Sequence, residues 1–399
     1  MLSVNVISEK YGVEQAAVVL ICRVFVGTAS SEQLNAFLKE YSVDWWGLYR
    51  VIVKNRIRPL AYHVLQSADM PGDVKQRLKH DRLSLAINCA EQQQELLKLL
   101  DVLKQHGIDA IPYKGPAFAS AFYKDQTLRE FVDIDLLIDP STAPDLQKII
   151  DIITPLGYHP MYNLVPGMKR VILENTCEFY FDKYVNGQRK FHVEIQWLAH
   201  HPVFELHKKL SNQQLFQHPA VLNFRNTDIK ALNTEFHFVT MLLHHGLREN
   251  WNSLKYLLDL AMILQNGRPD MKVVTAITGE YKFNKVLLSG SQLLNELLDV
   301  GGGLLPAAQI DTTPYIDVLL SGKKKQRTPW QKQVSVLKNT DDIIGRVKLT
   351  FKLIKYAFQP SVEDIQYYRL PERLHFLYFF VKLTRIFIAK TDKKKMAVS

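Results

Sequence analysis

Residues 107–139 read GIDAIPYKGPAFASAFYKDQTLREFVDIDLLID. Within this stretch 108–113 is a short apolar strand, Lys114-Gly115-Pro116 a turn, and 117–123 a helix with proline suited to its first position. A second apolar run, 131–139, follows. Its alternation predicts a strand with Asp133 and Asp135 on one face and Val132, Ile134 and Leu136 on the other. Two carboxylates so placed repel each other and are costly to leave unpaired at a core edge. A divalent cation resolves the conflict. Hard oxygen ligands favour Mg²⁺ or Mn²⁺, and Mg²⁺ is usually completed by substrate phosphates.

Downstream, Pro140-Ser141 closes the second strand, and Asp139 is read as part of that turn rather than of a metal site. A helix is expected over 142–155, then a strand over 178–184. Asn186-Gly187 is a type I′ hairpin signal, and the returning strand, 190–197, carries His192, Glu194 and Gln196. If that strand lies beside 131–139, Glu194 becomes a third carboxylate. Three such groups can hold two metals ~3.5–4 Å apart. Lys114-Gly115 would bring backbone N–H groups and a helix N-terminus to phosphate oxygens. His244 and His245 are adjacent on an expected helix and point about 100° apart, so they read as packing residues, as do Trp197 and Trp251; His200-His201-Pro202 reads as a loop.

The wider composition is that of a globular chain: 399 residues, 47% apolar and 23% charged, which excludes a disordered or collagenous protein and suggests two or three domains. Cys22, Cys89 and Cys177 lie far apart and form no CxxC pair, so neither a disulfide framework nor a cysteine zinc site is expected; a cytoplasmic setting fits. The first residues are polar where a signal peptide is apolar, and the run 16–27 is broken by Arg23. Residues 323–399 hold 18 Lys and Arg against 6 Asp and Glu, a net +12, whereas residues 1–322 hold 32 against 34. The basic excess therefore belongs to the C-terminal fifth. There Lys382, Arg385, Lys390 and Lys393–Lys395 surround an apolar segment, so 374–395 is the expected place of peripheral contact with an anionic membrane or polyanion. With the rest of the chain near neutral, and without an aromatic and basic recognition motif, sequence-general nucleic-acid binding is not expected.

Together these readings give an α+β protein in four parts: a helical N-terminal module at 1–105, an α+β core at 106–205, a helical acceptor-side domain at 206–322, and a basic helical segment at 323–399. Several stretches resemble one family. Ile111-Pro-Tyr-Lys114-Gly115-Pro-Ala, Tyr123, and Arg129-Glu-Phe-Val-Asp133-Ile-Asp135-Leu-Leu-Ile look like the LKG…Y…R…DIDLLV signature of an uncharacterised bacterial nucleotidyltransferase family in the polymerase-beta-like superfamily. Trp45…Arg56…Arg58-Pro59-Leu60 resembles its helical lead-in, Val193-Glu194-Ile-Gln196-Trp197 its DLHW strand, and His245…Trp251…Leu254…Asp259 its H…W…L…D region. Pro116 departs from the broader superfamily, which often has glycine or serine there, and Glu194 and Gln196 stand where aspartate and histidine are more usual.

The resemblance implies a polymerase-beta-like core with a mixed sheet and helical flanks, and transfer of a nucleoside monophosphate from an NTP to a hydroxyl with release of pyrophosphate. It implies Asp133, Asp135 and Glu194 as the metal-binding and catalytic carboxylates, Gly115 close to the triphosphate, and Lys114 and Arg129 neutralising phosphate charge. The acceptor, a sugar, peptide, antibiotic-like small molecule or protein side chain, is expected in the cleft between the core and the helices after residue 230. The departures support an alternative, a degenerate nucleotide-binding or scaffold protein tethered by its basic C-terminus.

Overall fold

The computed structural model describes residues 1–139, 145–165, 167–200, 212–302, 310–321, 334 and 336–385. Five helices open the chain: α1 (Val4–Tyr11), α2 (Val13–Val26), α3 (Ser31–Glu40), α4 (Trp45–Lys54) and α5 (Arg58–Leu65). Ser30 and Gln33 close a reciprocal capping box on α3, and Pro59 sits in the first turn of α5, where its missing N–H costs nothing. The run 16–27 tolerates Arg23 because the buried guanidinium donates to the carbonyls of Leu297 (2.8 Å) and Leu2 (2.8 Å).

The 34-residue helix α6 (Gly72–Gln105) leads into a five-stranded mixed sheet. Its strands are β1 (Ala110–Pro112), β2 (Ile134–Ile138), β3 (Tyr158–Pro160), β4 (Glu178–Val185) and β5 (Gln188–Gln196), in the order β1-β2-β5-β4-β3. The β2–β5 pair is parallel and the other three pairs are antiparallel. Asn186 and Gly187, with φ of 51° and 75°, make the turn expected between β4 and β5. Helices α7 (Gly115–Phe122), α8 (Leu146–Ile153) and α9 (Met168–Asn175) connect these strands. Asp145 caps α8, shortening the expected 142–155 helix at its start, and residues 140–144, where the Pro140-Ser141 turn was expected, lie outside the described residues.

The period-two alternation of the strands separates two faces. Ile134, Leu136, Val193, Ile195, Phe179 and Phe181 point into a core that also takes Leu96, Leu99 and Leu103 from α6. The opposite face presents Asp135, His192, Glu194, Gln196, Glu178 and Tyr180. Strand β2 is shorter than the expected 131–139. Phe131, Val132 and Asp133 lead into it without pairing, and Val132 is 54% exposed instead of facing the core.

Residues 220–231 form a hairpin, β6 (Ala220–Phe224) and β7 (Thr227–Ala231), inside the 206–322 stretch that the sequence reading made helical. Positive φ at Arg225 and Asn226 (50° and 63°) makes its tight turn. Helices then return as α10 (Thr234–Leu243), α11 (Leu254–Met262), α12 (Met271–Glu280), α13 (Asn284–Leu293) and α14 (Thr313–Leu320). A π turn, His244–Arg248, extends α10. These helices and α1–α5 are far apart in sequence yet share one core, joined through residues such as Leu20, Leu254 and Leu297. Helix α6 belongs to both bodies: Val74 and Leu78 lie in this helical core and Leu96, Leu99 and Leu103 in the sheet core. The chain's described end carries α15 (Ile343–Phe358) and α16 (Val362–Tyr367). No described helix is long and apolar enough to cross a membrane.

Candidate active site

The parallel pairing of β2 with β5 sets Asp135 directly opposite Glu194, as the sequence reading required. Asp135 is 2% exposed. Its Oδ1 accepts from Lys114 Nζ (3.1 Å) and Gln196 Nε2 (3.1 Å), while its Oδ2, equally buried, has no hydrogen-bond partner. Burial pushes the Asp135 carboxyl well above its ordinary pKa; Lys114 opposes this, and Asp133 and Glu194 add to it. Glu194 goes the other way. Burial alone would raise it, but His192, Lys114 and Arg248 hold it down to about 2. His192 lies between two carboxylates, with Nδ1 2.6 Å from Asp182 and Nε2 3.6 Å from Glu194, and is raised to about 9 by Glu194 first and then Asp182, against its burial.

Gln196 stands at the centre of the cluster. Its Nε2 lies 2.9 Å from Glu194, 3.1 Å from Asp135 and 3.2 Å from Glu178, and its Oε1 accepts from Tyr113 Oη at 2.6 Å. The amide thus donates where an imidazole would titrate. Glu178 is a site residue that the sequence reading missed: it faces Gln196 across the β4–β5 pair and takes Arg248 on both oxygens, at 3.2 and 3.3 Å.

Gly115 is required twice over. Its φ is +54°, and a Cβ there would lie 2.5 Å from the Asp133 carbonyl oxygen. Asp133, just before β2, is half-buried and lines the mouth of the site. Pro116 occupies the first turn of α7.

Lys114 and Arg129 differ from expectation. Lys114 is ion-paired to Asp135 and lies 4.7 Å from the Tyr113 ring centroid. Arg129 is buried and spends its fork on Asp259, Nε to Oδ1 at 2.8 Å and Nη2 to Oδ2 at 2.9 Å; Nη1 donates to the Gly115 carbonyl at 3.3 Å. Tyr123 also donates to Asp259, at 2.9 Å. The Tyr and Arg of the first signature and the Asp of the last are therefore one buried cluster that fastens α11 to the Gly115 turn. The partner of Arg129 lies 130 residues away, so nothing in the local sequence set it against the phosphate role that the resemblance implied.

Between this face of the sheet and the helices after residue 230 lies a cavity of about 130 Å³, edged by Gly115, Asp133, Asp135 and Glu194 on one side and by His244, Arg248 and Lys255 on the other. Arg56 and Lys255 also line it, and their side chains make no hydrogen bond or ion pair among the described residues. Arg56 holds a left-handed φ of 54° as the residue that closes the C-terminus of α4, just after its C-cap Asn55. The Lys255 ammonium is pulled down to about 8, by burial first and by Arg129 second. His244 and His245 both border the cavity, held below the ordinary histidine pKa by burial. His245 Nε2 is 3.5 Å from Asp259, so it belongs with the structural cluster, and Trp251 is fully buried. A second cavity, of about 330 Å³, lies beyond Glu178 and is lined by Tyr162, Phe179, Tyr180 and Tyr356.

Among the described residues no three or more His, Cys, Asp or Glu side chains are so arranged that they could hold a metal ion, so a three-carboxylate metal cage is not preassembled. The donor chemistry nonetheless suits a hard cation completed by phosphate: carboxylate oxygens on one face, one of them buried and unpartnered. Asp139 stands apart, its N–H donating to the Asp109 carbonyl. Compared with known proteins, residues 41–299 match the model of a family described as uncharacterised nucleotidyltransferase. No curated protein and no solved structure matches.

Proposed function

The chain belongs to the uncharacterised nucleotidyltransferase family, and from that premise we propose that it moves a nucleoside monophosphate from an NTP to the hydroxyl of an acceptor. The acceptor oxygen bonds to the α-phosphorus, the bond to the β-phosphate oxygen breaks, and pyrophosphate leaves. One observation carries the reading: Asp135 and Glu194 meet in register on one sheet face, with a buried, unbonded Asp135 oxygen across a cavity from Arg56 and Lys255. Asp135 and Glu194, with Asp133 at the mouth, would hold Mg²⁺ or Mn²⁺. Bound there, the ion would neutralise phosphate oxygens and acidify the attacking hydroxyl.

The remaining work falls to this chain's side chains. Glu194 is kept ionised by His192, Lys114 and Arg248, so it is always available as a ligand. Gln196, with two amide hydrogens among three carboxylates, ties the acidic cluster together without adding charge. Arg56 and Lys255, which line the cavity without an ion pair among the described residues, are cations free to meet triphosphate oxygens, and Arg129 acts at one remove by fixing the Gly115 carbonyl. Such a site works chiefly by positioning and electrostatics. The acceptor, a sugar, peptide, other small molecule or protein side chain, enters along the cleft beside the Glu178–Arg248 pair.

A second reading, a degenerate nucleotide-binding scaffold, draws on the Lys114 ammonium, which already sits 3.1 Å from Asp135 where a metal ion would compete. Titration of non-hydrolysable ATP, GTP, CTP and UTP analogues with Mg²⁺ separates the two. Transfer predicts Mg²⁺-dependent binding of at least one analogue, lost in Asp133→Asn/Asp135→Asn. Binding of none, or equal binding by the variant, leaves the scaffold reading.

A further inference from the structure

The sequence placed a membrane or polyanion contact at 374–395, but its described cations are engaged within the fold. Lys382 Nζ donates to the Gln359 carbonyl at 2.6 Å, and Arg385 Nε bonds the buried Asp364 at 2.9 Å. Residues 386–399, with the remaining lysines, lie outside the described residues.

Helix α15 presents a different surface. Its residues Leu349 and Leu353 are buried in the large helical core, which fixes the helix on the body. Ile343, Ile344, Val347, Phe351 and Ile354, by contrast, are 75%, 65%, 49%, 68% and 50% exposed. At ~100° per residue these five fall within an arc of about 100°, turned away from the buried strip. Exposed Lys348 and Lys355 follow on one border of that arc. A contiguous apolar arc of this kind on a soluble surface marks an interaction site.

We propose that α15 is an interfacial helix that seats the protein on an anionic membrane surface. The apolar arc enters the headgroup boundary while Lys348 and Lys355 meet lipid phosphates, the geometry of a helix lying in the interface plane. Charge decides between this occupant and a second copy of the chain. Residues 343–358 contain four Lys and Arg and no Asp or Glu, and the preceding Asp341 and Asp342 are taken up by the Asn284, Lys285 and Gly345 N–H groups, so an isologous pair of these helices would bring lysine against lysine. The same arrangement complements an anionic bilayer. The proposal is independent of the nucleotidyl-transfer reading.

Flotation of the full chain with vesicles tests it, comparing pure phosphatidylcholine with an equimolar mixture of phosphatidylcholine and phosphatidylglycerol. Wild type should float with the anionic vesicles only, and added salt should weaken binding. Phe351→Ser/Ile354→Ser should remain at the bottom with an unchanged melting temperature; should that pair fail to fold, Ile343→Ser/Val347→Ser provides the same test. Lys348→Ser should lower the partition coefficient roughly fivefold. The proposal is overturned if wild type does not float with either vesicle, or if a folded arc variant floats as well as wild type. It is also overturned if wild type runs as a dimer that the arc variant dissolves, since the arc then belongs to a second copy.

Discussion

Asp135 and Asp259 are both aspartates buried to within 2% of complete enclosure, and the protein treats them in opposite ways. Asp259 takes two bonds from Arg129 and one from Tyr123, and its carboxyl is held far below the ordinary range because Arg129 and His245 outweigh burial. Asp135 has one oxygen with no partner and a carboxyl pushed upward by burial. A buried charge with a full set of partners is part of the scaffold. A buried carboxyl left short of partners is either pushed toward its neutral form or completed by something else.

The largest effect should come from the saturated aspartate. Asp259→Ala strands the Arg129 guanidinium in the core and should cost about 3–5 kcal/mol in urea denaturation. A loss near zero would erase the contrast. Because the folded pKa of Asp259 is depressed, its contribution is present above the unfolded value of about 3.9 and is lost as pH falls below it. The acid limb of the wild-type stability curve should therefore be steeper than that of Asp259→Asn.

Asp135→Asn should cost much less, about 1 kcal/mol, because the amide keeps an oxygen for Lys114 and Gln196 and replaces a carboxyl that burial already pushes toward its neutral form. The same change should lower nucleotide transfer about 10²–10³-fold, the usual cost of losing one preorganised polar group in such a site. If the variant melted like Asp259→Ala, Asp135 would be scaffold too.

Gly115→Ala tests the turn between the two carboxylates. With φ at +54° and a contact of 2.5 Å awaiting the new Cβ, it should cost about 1–3 kcal/mol and displace Asp133. Calorimetry reads the first effect and Mg²⁺ affinity the second. The smallest change is expected from Lys255→Met, which should weaken NTP-analogue binding about tenfold with the fold unaffected. Unaltered binding would remove Lys255 from the phosphate grip.

The strand holding Asp135 and the hairpin at Asn186-Gly187 were legible in the sequence because each depends on local period and turn chemistry, whereas the partnership with Glu194 rests on a parallel pairing that the sequence offered only as a condition. Arg129 was not. A buried guanidinium with a distant partner has the same local sequence as one awaiting phosphate. Glu178 and His192 had a signal in hindsight: both sit at alternate positions on the strands already marked, facing the same way as Glu194 and Gln196. Arg56 stood in the helical lead-in that the resemblance marked, though with no role attached, and Lys255 carried no signal, since it is the folding of α11 against the Gly115 turn that brings it to the cavity. The hairpin at 220–231 was missed because its turn, Arg225-Asn226, lacks the glycine that usually announces one.

Helix α6 has a consequence for how the molecule comes apart. It supplies Val74 and Leu78 to one core and Leu96, Leu99 and Leu103 to the other, within an unbroken rod roughly 50 Å long. Neither core can expose its share of α6 without loosening the helix that the other grips. Amide protons in its central turns should therefore exchange with deuterium at a single slow rate, set by opening of the whole chain. A proteolytic fragment beginning after residue 105 would lack one wall of its sheet and should not hold together alone.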